Sequence, residues 1–411
     1  MRKLNIKCSL VEETENFTKP ILWKSFISKD INWNQLYTDL ICEFQKNNEY
    51  PNMNINVNDS VKPWYKNKIH DFDVKNYDSL VEWFSEWLEG DNFCVLFDRI
   101  TDYSEMVYNI IASEVIGNLG QNVELKIGAD TYAIFGNYGY TPFGIHPDNE
   151  PIFLIHCGPE KKDIWYWEEC PDESIVGRTD ILKKSNTWKK GAVHVVLEPG
   201  DMIFIPKHVY HLLYTRDFSI TLGTALFPGD APSMIRTGIT NLSRNSNVNI
   251  ENLVSWSEKS SKKEQFNQIV EDYFQLNINE LGEAIYQGII DQQYKLKSNG
   301  GFIGSPMFNN VDNNVSLKTS CFKLKDHSVI ASRKLDGDLV LYLRGRKVRL
   351  KENEFIEQAI KFINSEPKFS FKDINNILKD EKITHEILLL LYKHKCIEAF
   401  TCNFKKVKTY G

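Results

Sequence analysis

The sequence lacks paired cysteines, long apolar runs and an N-terminal export signal. Its eight cysteines among 411 residues lie far apart with no CxxC pair, a spacing that favours reduced thiols over a disulfide framework or a zinc site. The longest aliphatic run, Ile387 to Leu391, is far shorter than the ~20 residues that span a bilayer. The N-terminal residues turn polar before the apolar stretch of a signal peptide can form. These absences predict a cytoplasmic protein without a membrane segment.

Internal repeats, low-complexity tracts and a strong net charge are absent as well. The net charge is only -6, and hydrophobic residues make up 42% of the chain, so general disorder is excluded. The charge is uneven, because residues 331–411 hold 17 Lys and Arg against 11 Asp and Glu while the rest is acidic. This asymmetry indicates a candidate binding module, and a solvated lysine-rich face is the alternative.

The spacing of apolar and polar residues changes along the chain. Residues 1 to about 90 are mixed and mostly helical in pattern, and 122–226 consist of short β-rich runs divided by turn residues, which is typical of a β-sandwich or barrel. The predicted strands are VELKI, TYAIF, PIFLI, DIWYW, AVHVVL, DMIFIP and SITLGTALF. Helical periodicity resumes over 231–244, 249–275 and 278–297. The last part predicts strands followed by helices at 352–364, 370–380 and 384–394.

Three side chains of the β-rich part form a candidate metal site. His146 and Asp148, in a His-Pro-Asp triplet, are two residues apart and therefore leave the same face of a strand. His211 follows 65 residues after His146, behind the strand PGDMIFIP. Two histidines and one carboxylate fill one face of an octahedral metal and leave three positions open, as in non-haem Fe(II) oxygenases. His208 competes with His211 for the third ligand position.

The HPD triplet, followed at this distance by EPGDMIFIPKHVYH, resembles the JmjC/cupin-type 2-oxoglutarate oxygenases over about residues 122–228. The resemblance implies a mainly β fold with helices, built on a double-stranded β-helix (jelly-roll) core. It implies Fe(II) held by His146, Asp148 and His211, with 2-oxoglutarate as co-substrate. It also implies a basic residue, at Lys161 or the adjacent Lys162, for the 5-carboxylate of 2-oxoglutarate, and Lys161 matches the family spacing better.

The order of a jelly roll, a helical segment and a C-terminal winged helix is similar to the ribosomal oxygenases, which hydroxylate a side chain of a ribosomal protein. The resemblance implies a catalytic domain over 1–229, a helical segment over 230–300 and a winged-helix-like domain over 325–411. In that family the helical segment pairs two subunits, which implies a homodimer; packing onto its own barrel is the alternative. The last domain also resembles, more loosely, the domains that grip leader peptides of ribosomally made precursor peptides.

These observations together predict a 2-oxoglutarate-dependent dioxygenase that hydroxylates a side chain of a protein or peptide. Ribosomal protein versus precursor peptide, and hydroxylation versus demethylation, are left open by the residues. The alternative is a non-oxygenase metal-binding cupin, an isomerase or ligand-binding module, which would not need a basic residue near position 161. Nucleic acid is not expected as a partner, because the mostly aliphatic segment from Thr384 to His394 offers few side chains to a groove.

Overall fold

A computed structural model describes residues 9–28, 30–47, 52–89, 92–120, 123, 125–245, 267, 276–307 and 316–401. The chain forms two compact units. Unit 1 comprises 1–123, 129–227 and 306–310, and unit 2 comprises 124–128, 228–305 and 311–411. The helix expected over 249–275 lies, except for residue 267, outside the described residues.

Unit 1 contains five described α-helices, some of which begin at polar caps and pack on a large sheet. We label them α1 to α5, with the bounds Leu10–Glu13, Trp33–Asn47, Leu80–Trp87, Glu105–Glu114 and Thr179–Leu182. The side-chain oxygens of Ser79 and Ser104 each accept a hydrogen bond from a backbone N–H in the first turn of α3 and α4. These caps fix where the two helices begin. Aromatic side chains join these helices to the sheet; the rings of Tyr37 and Phe135 meet edge to face with centroids 4.9 Å apart.

The strands of unit 1 form two antiparallel sheets. They are β1 Ile21–Trp23, β2 Met53–Val57, β3 Ser60–Val61, β4 Phe93–Phe97, β5 Gly128–Gly136, β6 Gly139–Tyr140, β7 His146–Pro147, β8 Ile152–Pro159, β9 Lys162–Trp167, β10 Ala192–Leu197, β11 Met202–Ile205, β12 Tyr210–Thr215 and β13 Ser219–Phe227. The large sheet has the order β1-β11-β8-β13-β5-β4-β2-β3, and the second sheet has the order β10-β9-β12-β6, with β7 also paired to β12.

The two sheets enclose an apolar interior. Ile152, Leu154, Ile203 and Ile205 of the large sheet belong to one buried cluster with Ile164, Leu197 and Leu213 of the second sheet. The outer face of the second sheet is covered separately, since Trp165 and Trp167 pack with Leu182 and Trp188 of the segment between β9 and β10. This arrangement is the jelly-roll core that the sequence predicts.

Two of the strand assignments made from sequence differ from the structure. The run VELKI was expected to form a strand, but its described residues lie in no strand and β5 begins at Gly128 instead. Residues Tyr210–Thr215 form β12, which the sequence analysis did not assign to a strand.

Unit 2 contains helices and two small sheets. Its elements are α6 Ala231–Asn245, α7 Ile278–Ser298, β14 Ser320–Leu324, β15 Ala331–Leu335, β16 Asp338–Leu343, β17 Arg346–Lys351, α8 Glu354–Ser365, β18 Phe369–Ser370, α9 Phe371–Leu378, α10 Glu381–Lys393 and β19 Ile397–Thr401. The sheets have the orders β18-β14-β19 and β15-β16-β17. The order of strands followed by three helices agrees with the expectation, and the assignment as a winged helix stays a prediction.

A buried carboxylate ties α7 to the sheet β15-β16-β17 within unit 2. Asp291 of α7 is 2% exposed and accepts hydrogen bonds from Arg333, Tyr342 and Lys347. Burial by itself would raise the pKa of Asp291, but the hydrogen bond from Lys347, with those of the other donors, outweighs burial and lowers it. The helix and the sheet therefore share one ionised cluster.

The cysteines of the described residues are mostly free thiols. Cys42, Cys94, Cys157, Cys170 and Cys396 are free. Cys321 is disulfide-bonded, which is an exception to the expectation of reduced thiols. Within the described part of the chain, none of the helices has the length and apolar character needed to cross a membrane.

Candidate metal centre

Two histidines meet across neighbouring strands of the second sheet. His146 of β7 lies directly opposite His211 of β12 in the antiparallel register, and their rings are 4.5 Å apart between centroids. The Nδ1 atom of His146 lies 2.9 Å from the carbonyl oxygen of Gly144, and that of His211 lies 3.1 Å from the carbonyl oxygen of Val209. A carbonyl oxygen only accepts, so each Nδ1 carries the proton and each Nε2 keeps its lone pair.

Asp148 brings its carboxylate to the same two Nε2 atoms. Oδ1 lies 3.8 Å from Nε2 of His146, and Oδ2 lies 3.5 Å from Nε2 of His211. One ligand atom from each of the three residues falls within 4.8 Å of the others. Burial, and next to it the neighbouring His146, lower the pKa of His211 to about 4. His211 is therefore neutral at physiological pH, which is the form that binds a metal.

The rival third ligand, His208, lies elsewhere. It occupies the turn before β12 with a left-handed backbone, φ +64°, and its side chain is exposed. His211 lies on the inward face of β12 and is 2% exposed. The structure thus brings His146, Asp148 and His211 together and leaves His208 outside the group.

The two candidate lysines point in opposite directions. The side chain of Lys161 is 65% exposed and pairs with Glu198 at 2.6 Å. Lys162 begins β9 and is 0% exposed. In β9, Tyr166 lies opposite His211 and Ile164 opposite Leu213, so alternation places Lys162 on the inward face that also carries the metal triad. The geometry therefore favours Lys162 over Lys161 for the predicted role, because a turn residue at the surface does not share the triad's strand face.

Lys162 is surrounded by neutral groups. Its Nζ donates a hydrogen bond of 2.8 Å to the hydroxyl oxygen of Tyr138 and lies 5.2 Å from the centre of that ring. Burial raises the pKa of the nearby Cys94 and Cys157 thiols to about 12, so both are neutral. Burial is also the main reason, and the charge of Lys162 the second, that the pKa of His156 is lowered to about 4. Because no carboxylate among the described residues offsets its burial, the pKa of Lys162 itself falls to about 7.

Two buried polar atoms close to this lysine lack hydrogen-bond partners. Thr221 of β13 lies opposite His156 of β8, and both side chains are 0% exposed. The hydroxyl of Thr221 and Nδ1 of His156 have no partner in the described structure. Unpaired buried polar groups are costly, so this end of the interior is suited to a polar ligand.

Sequence reasoning missed Tyr132, Tyr138 and Thr221 as inward-facing residues. Tyr132 packs over Gly223, where a β-carbon would lie 2.3 Å from the ring, so only glycine leaves room for it. The alternation of β5 and β13 could have placed Tyr132 and Thr221, but the loop residue Tyr138 carries no periodic signal.

Residues 114–232 match the family model of the JmjC domain. These residues are similar to the JmjC domain. The match contains the whole metal triad and Lys162, and it covers the strands from β5 to β13. The search of curated proteins finds no match to the chain.

Solved structures resemble the chain over almost its whole length. The ribosomal oxygenase YcfD from Escherichia coli in complex with cobalt and 2-oxoglutarate has 12% sequence identity and a TM-score of 0.51, covering 97% of this chain and 98% of its own. YcfD in complex with cobalt and succinic acid also has 12% identity, with a TM-score of 0.50 and the same coverage. A further X-ray structure of E. coli YcfD has 14% identity and a TM-score of 0.50. At these identities the likeness shows a common fold.

Proposed function

We propose that the protein is an Fe(II)- and 2-oxoglutarate-dependent dioxygenase that hydroxylates a side chain of a protein or peptide. The observation that supports it best is the pairing of the His146, Asp148 and His211 group with a buried lysine on the same inward strand face. Lys162 and Tyr166, which lies opposite His211, are four residues apart on β9. That separation is roughly 13 Å, which a lysine side chain and a short dicarboxylate together can span.

The three ligand side chains suit Fe(II) in number and kind. Fe(II) held by them would supply a centre for the reaction of dioxygen with the 2-oxo acid. The protein's part is to hold both Nε2 lone pairs toward Asp148 by tying each Nδ1–H to a backbone carbonyl. The apolar cluster of Ile164, Leu213 and their neighbours keeps water away from the space between the ligands and Lys162.

The polar end of the interior suits the 5-carboxylate of 2-oxoglutarate. Lys162 supplies a positive charge, and the hydroxyl of Tyr138, whose oxygen accepts from Lys162, has its own hydrogen available for the carboxylate. The unpaired hydroxyl of Thr221 offers another donor close by. A carboxylate seated there would accept hydrogen bonds from all three groups and supply the partner that Thr221 lacks.

Substitution of the ligands tests the metal assignment. His146→Ala or Asp148→Ala should abolish succinate formation from 2-oxoglutarate and reduce iron content, because each change removes one ligand. His208→Asn is the matched control, since it alters an exposed histidine outside the triad while asparagine tolerates its left-handed backbone. Full succinate formation by either ligand variant would show that the site is misassigned.

The alternative, a non-oxygenase cupin, predicts a different outcome. Such a protein would bind a divalent metal through the same three residues but release no succinate. Lys162 favours the oxygenase, because a buried lysine without a counter-ion is destabilising unless an anionic ligand uses it. Anaerobic loading with iron and 2-oxoglutarate, then exposure to oxygen, separates the two, and iron binding without succinate would support the cupin.

We also propose that residues 325–411 dock a polypeptide substrate of acidic character. The support is β17, an edge strand of its sheet whose Arg346, Arg349 and Lys351 are exposed.

Arg349→Glu should weaken hydroxylation of an acidic peptide while leaving peptide-independent succinate formation unchanged; Lys372→Glu on α9 is the control. Mass spectrometry of the peptide decides between hydroxylation, a gain of one oxygen, and loss of a methyl group. Equal peptide turnover by both variants would favour a purely structural role for this region.

The homodimer through 230–300 and the cytoplasmic location are further parts of this proposal. The observation behind the dimer is the resemblance in element order to the ribosomal oxygenases. Light scattering on the purified chain tests it, with twice the monomer mass as the expected result.

A further inference from the structure

A polar cavity of about 250 Å³ opens in unit 1 beside the interior that holds Lys162. It is lined by residues of β2 and β4 in the large sheet and by the segment around β6 in the second sheet, and none of the metal ligands takes part. Three asparagines contribute to its wall: Asn56, Asn58 and Asn92. Its volume is smaller than that of most cofactor sites, so it fits a side chain or a short stretch of backbone.

Asn56 gives the cavity a polar recognition group. The residue is 7% exposed, and within the described part of the chain its side-chain amide makes no hydrogen bond. An asparagine amide offers both donor hydrogens and an acceptor oxygen, so a ligand in the cavity can pair with both. Asn54, two residues earlier on the same strand, is exposed and does not line the cavity.

The rim of the cavity is electrically balanced. Asp59 of the turn between β2 and β3 pairs with Lys183 of the segment between β9 and β10. Both side chains are about half exposed, so this pair contributes little free energy, on the order of 0–1 kcal/mol, and can open easily. A rim without net charge favours a neutral ligand over an ion.

We propose that this cavity binds a neutral carboxamide or peptide group of a polypeptide substrate. An amide both donates and accepts, so it matches the Nδ2 and Oδ1 atoms of an asparagine at once. A carboxylate only accepts and would leave Oδ1 unpaired, and a guanidinium only donates and would leave Nδ2 unpaired. The polypeptide nature of the ligand rests on the proposed function, whereas the preference for an amide rests on the cavity.

The cavity also adjoins the co-substrate end of the interior. Cys94 and Tyr138 form part of its lining, and Tyr138 holds the ammonium group of Lys162 through its hydroxyl. A substrate group seated in the cavity therefore contacts the residue that orients Lys162. This places substrate recognition next to the proposed 2-oxoglutarate anchor.

A binding experiment with small probes tests the inference on the full chain. Ligand-detected NMR should show N-acetylasparagine amide binding to the wild type, at least tenfold weaker binding to Asn56→Leu, and unchanged binding to the control Asn54→Leu. N-acetylaspartate amide, its charged counterpart, should bind much more weakly to the wild type. Equal binding of the neutral probe to the wild type and Asn56→Leu, or a preference for the charged probe, would overturn the proposal.

Activity measurements keep this inference separate from the proposed function. The control Asn54→Leu should form succinate at the wild-type rate in the absence of a polypeptide, because Asn54 is exposed and does not line the cavity. If the wild type forms no succinate while the amide probe still binds, the oxygenase proposal fails and the cavity assignment stands. Thermal unfolding of both variants checks that the fold is retained.

Discussion

At the scale of single residues, Lys161 and Lys162 differ only in the direction of their side chains. Lys161 lies in the turn and pairs with Glu198 in solvent, whereas Lys162 is the first residue of β9 and faces the interior. The neutral surroundings of Lys162 lower its pKa to about 7 by burial. A group with such a pKa titrates under the conditions in which an enzyme works.

Binding of 2-oxoglutarate should therefore take up a proton at Lys162. A carboxylate beside the amine favours its charged form and raises its pKa, so above pH ~7 the complex holds one proton more than the free protein. Affinity should fall up to tenfold per pH unit as the pH rises above ~7, and be nearly constant below ~6. Calorimetry in buffers of different ionisation enthalpy measures the uptake directly.

Two variants separate the charge of Lys162 from its titration. Lys162→Arg keeps a permanent charge, so any 2-oxoglutarate that it binds should bind without proton uptake. Lys162→Met removes a charge-assisted hydrogen bond worth roughly 1.5–3 kcal/mol, or one to two decades in affinity. Lys161→Met should bind 2-oxoglutarate as the wild type does. Loss of affinity in Lys161→Met but not in Lys162→Met would return the role to Lys161.

At the scale of elements, α6 and α7 approach each other through two glycines. A β-carbon on Gly288 would lie 2.4 Å from the carbonyl oxygen of Gly238, and one on Gly238 would lie 2.5 Å from the carbonyl oxygen of Ile285. The amide of Asn241 bridges the same helices by donating 3.1 Å to the carbonyl oxygen of Gly288. Backbones pack this closely only where side chains are absent.

Gly288→Ala should destabilise unit 2 in spite of alanine's better helix propensity. The added methyl group meets backbone rather than a movable side chain, so the helices must separate, at a cost of about 1–3 kcal/mol. Gly282→Ala on the same helix is the control, because a β-carbon there meets nothing within 4 Å and should stabilise the helix by roughly 0.5–1 kcal/mol. Denaturant unfolding compares the two, and equal stabilities would contradict the packing argument.

At the scale of the whole molecule, metal binding and stability are linked. The triad has one ligand on β12 and two on β7 and the turn after it, so a bound ion joins segments about 65 residues apart in the chain. An ion that binds the folded protein alone stabilises it by about 2.7 kcal/mol at a hundred times its dissociation constant. Mn(II), a redox-stable substitute, should raise the Tm of the wild type.

Asp148→Ala provides the comparison for this effect. It should show little or no rise in Tm with Mn(II), because one of the three ligands is missing. Scanning calorimetry with and without the ion gives both values. A similar rise in the variant would place the stabilising ion at another site.

The sequence by itself determined the parts of this protein that depend on local spacing. The HPD triplet and the later PGD–IP strand specify the residue types of a metal site, and periodicity specifies helices such as α3 and α7. These signals are local, because a strand exposes alternate residues and a helix exposes every third or fourth whatever the rest of the chain does.

Only the tertiary structure decided which side chains share one interior. The pairing of His146 with His211, the inward direction of Lys162 and the cavity around Asn56 depend on register between strands that are distant in sequence. A shift of one residue in β9 would have exchanged Lys161 for Lys162, since the side-chain period of a strand is two. Register is set by burial of the apolar cluster between the sheets, a property that only the assembled fold possesses.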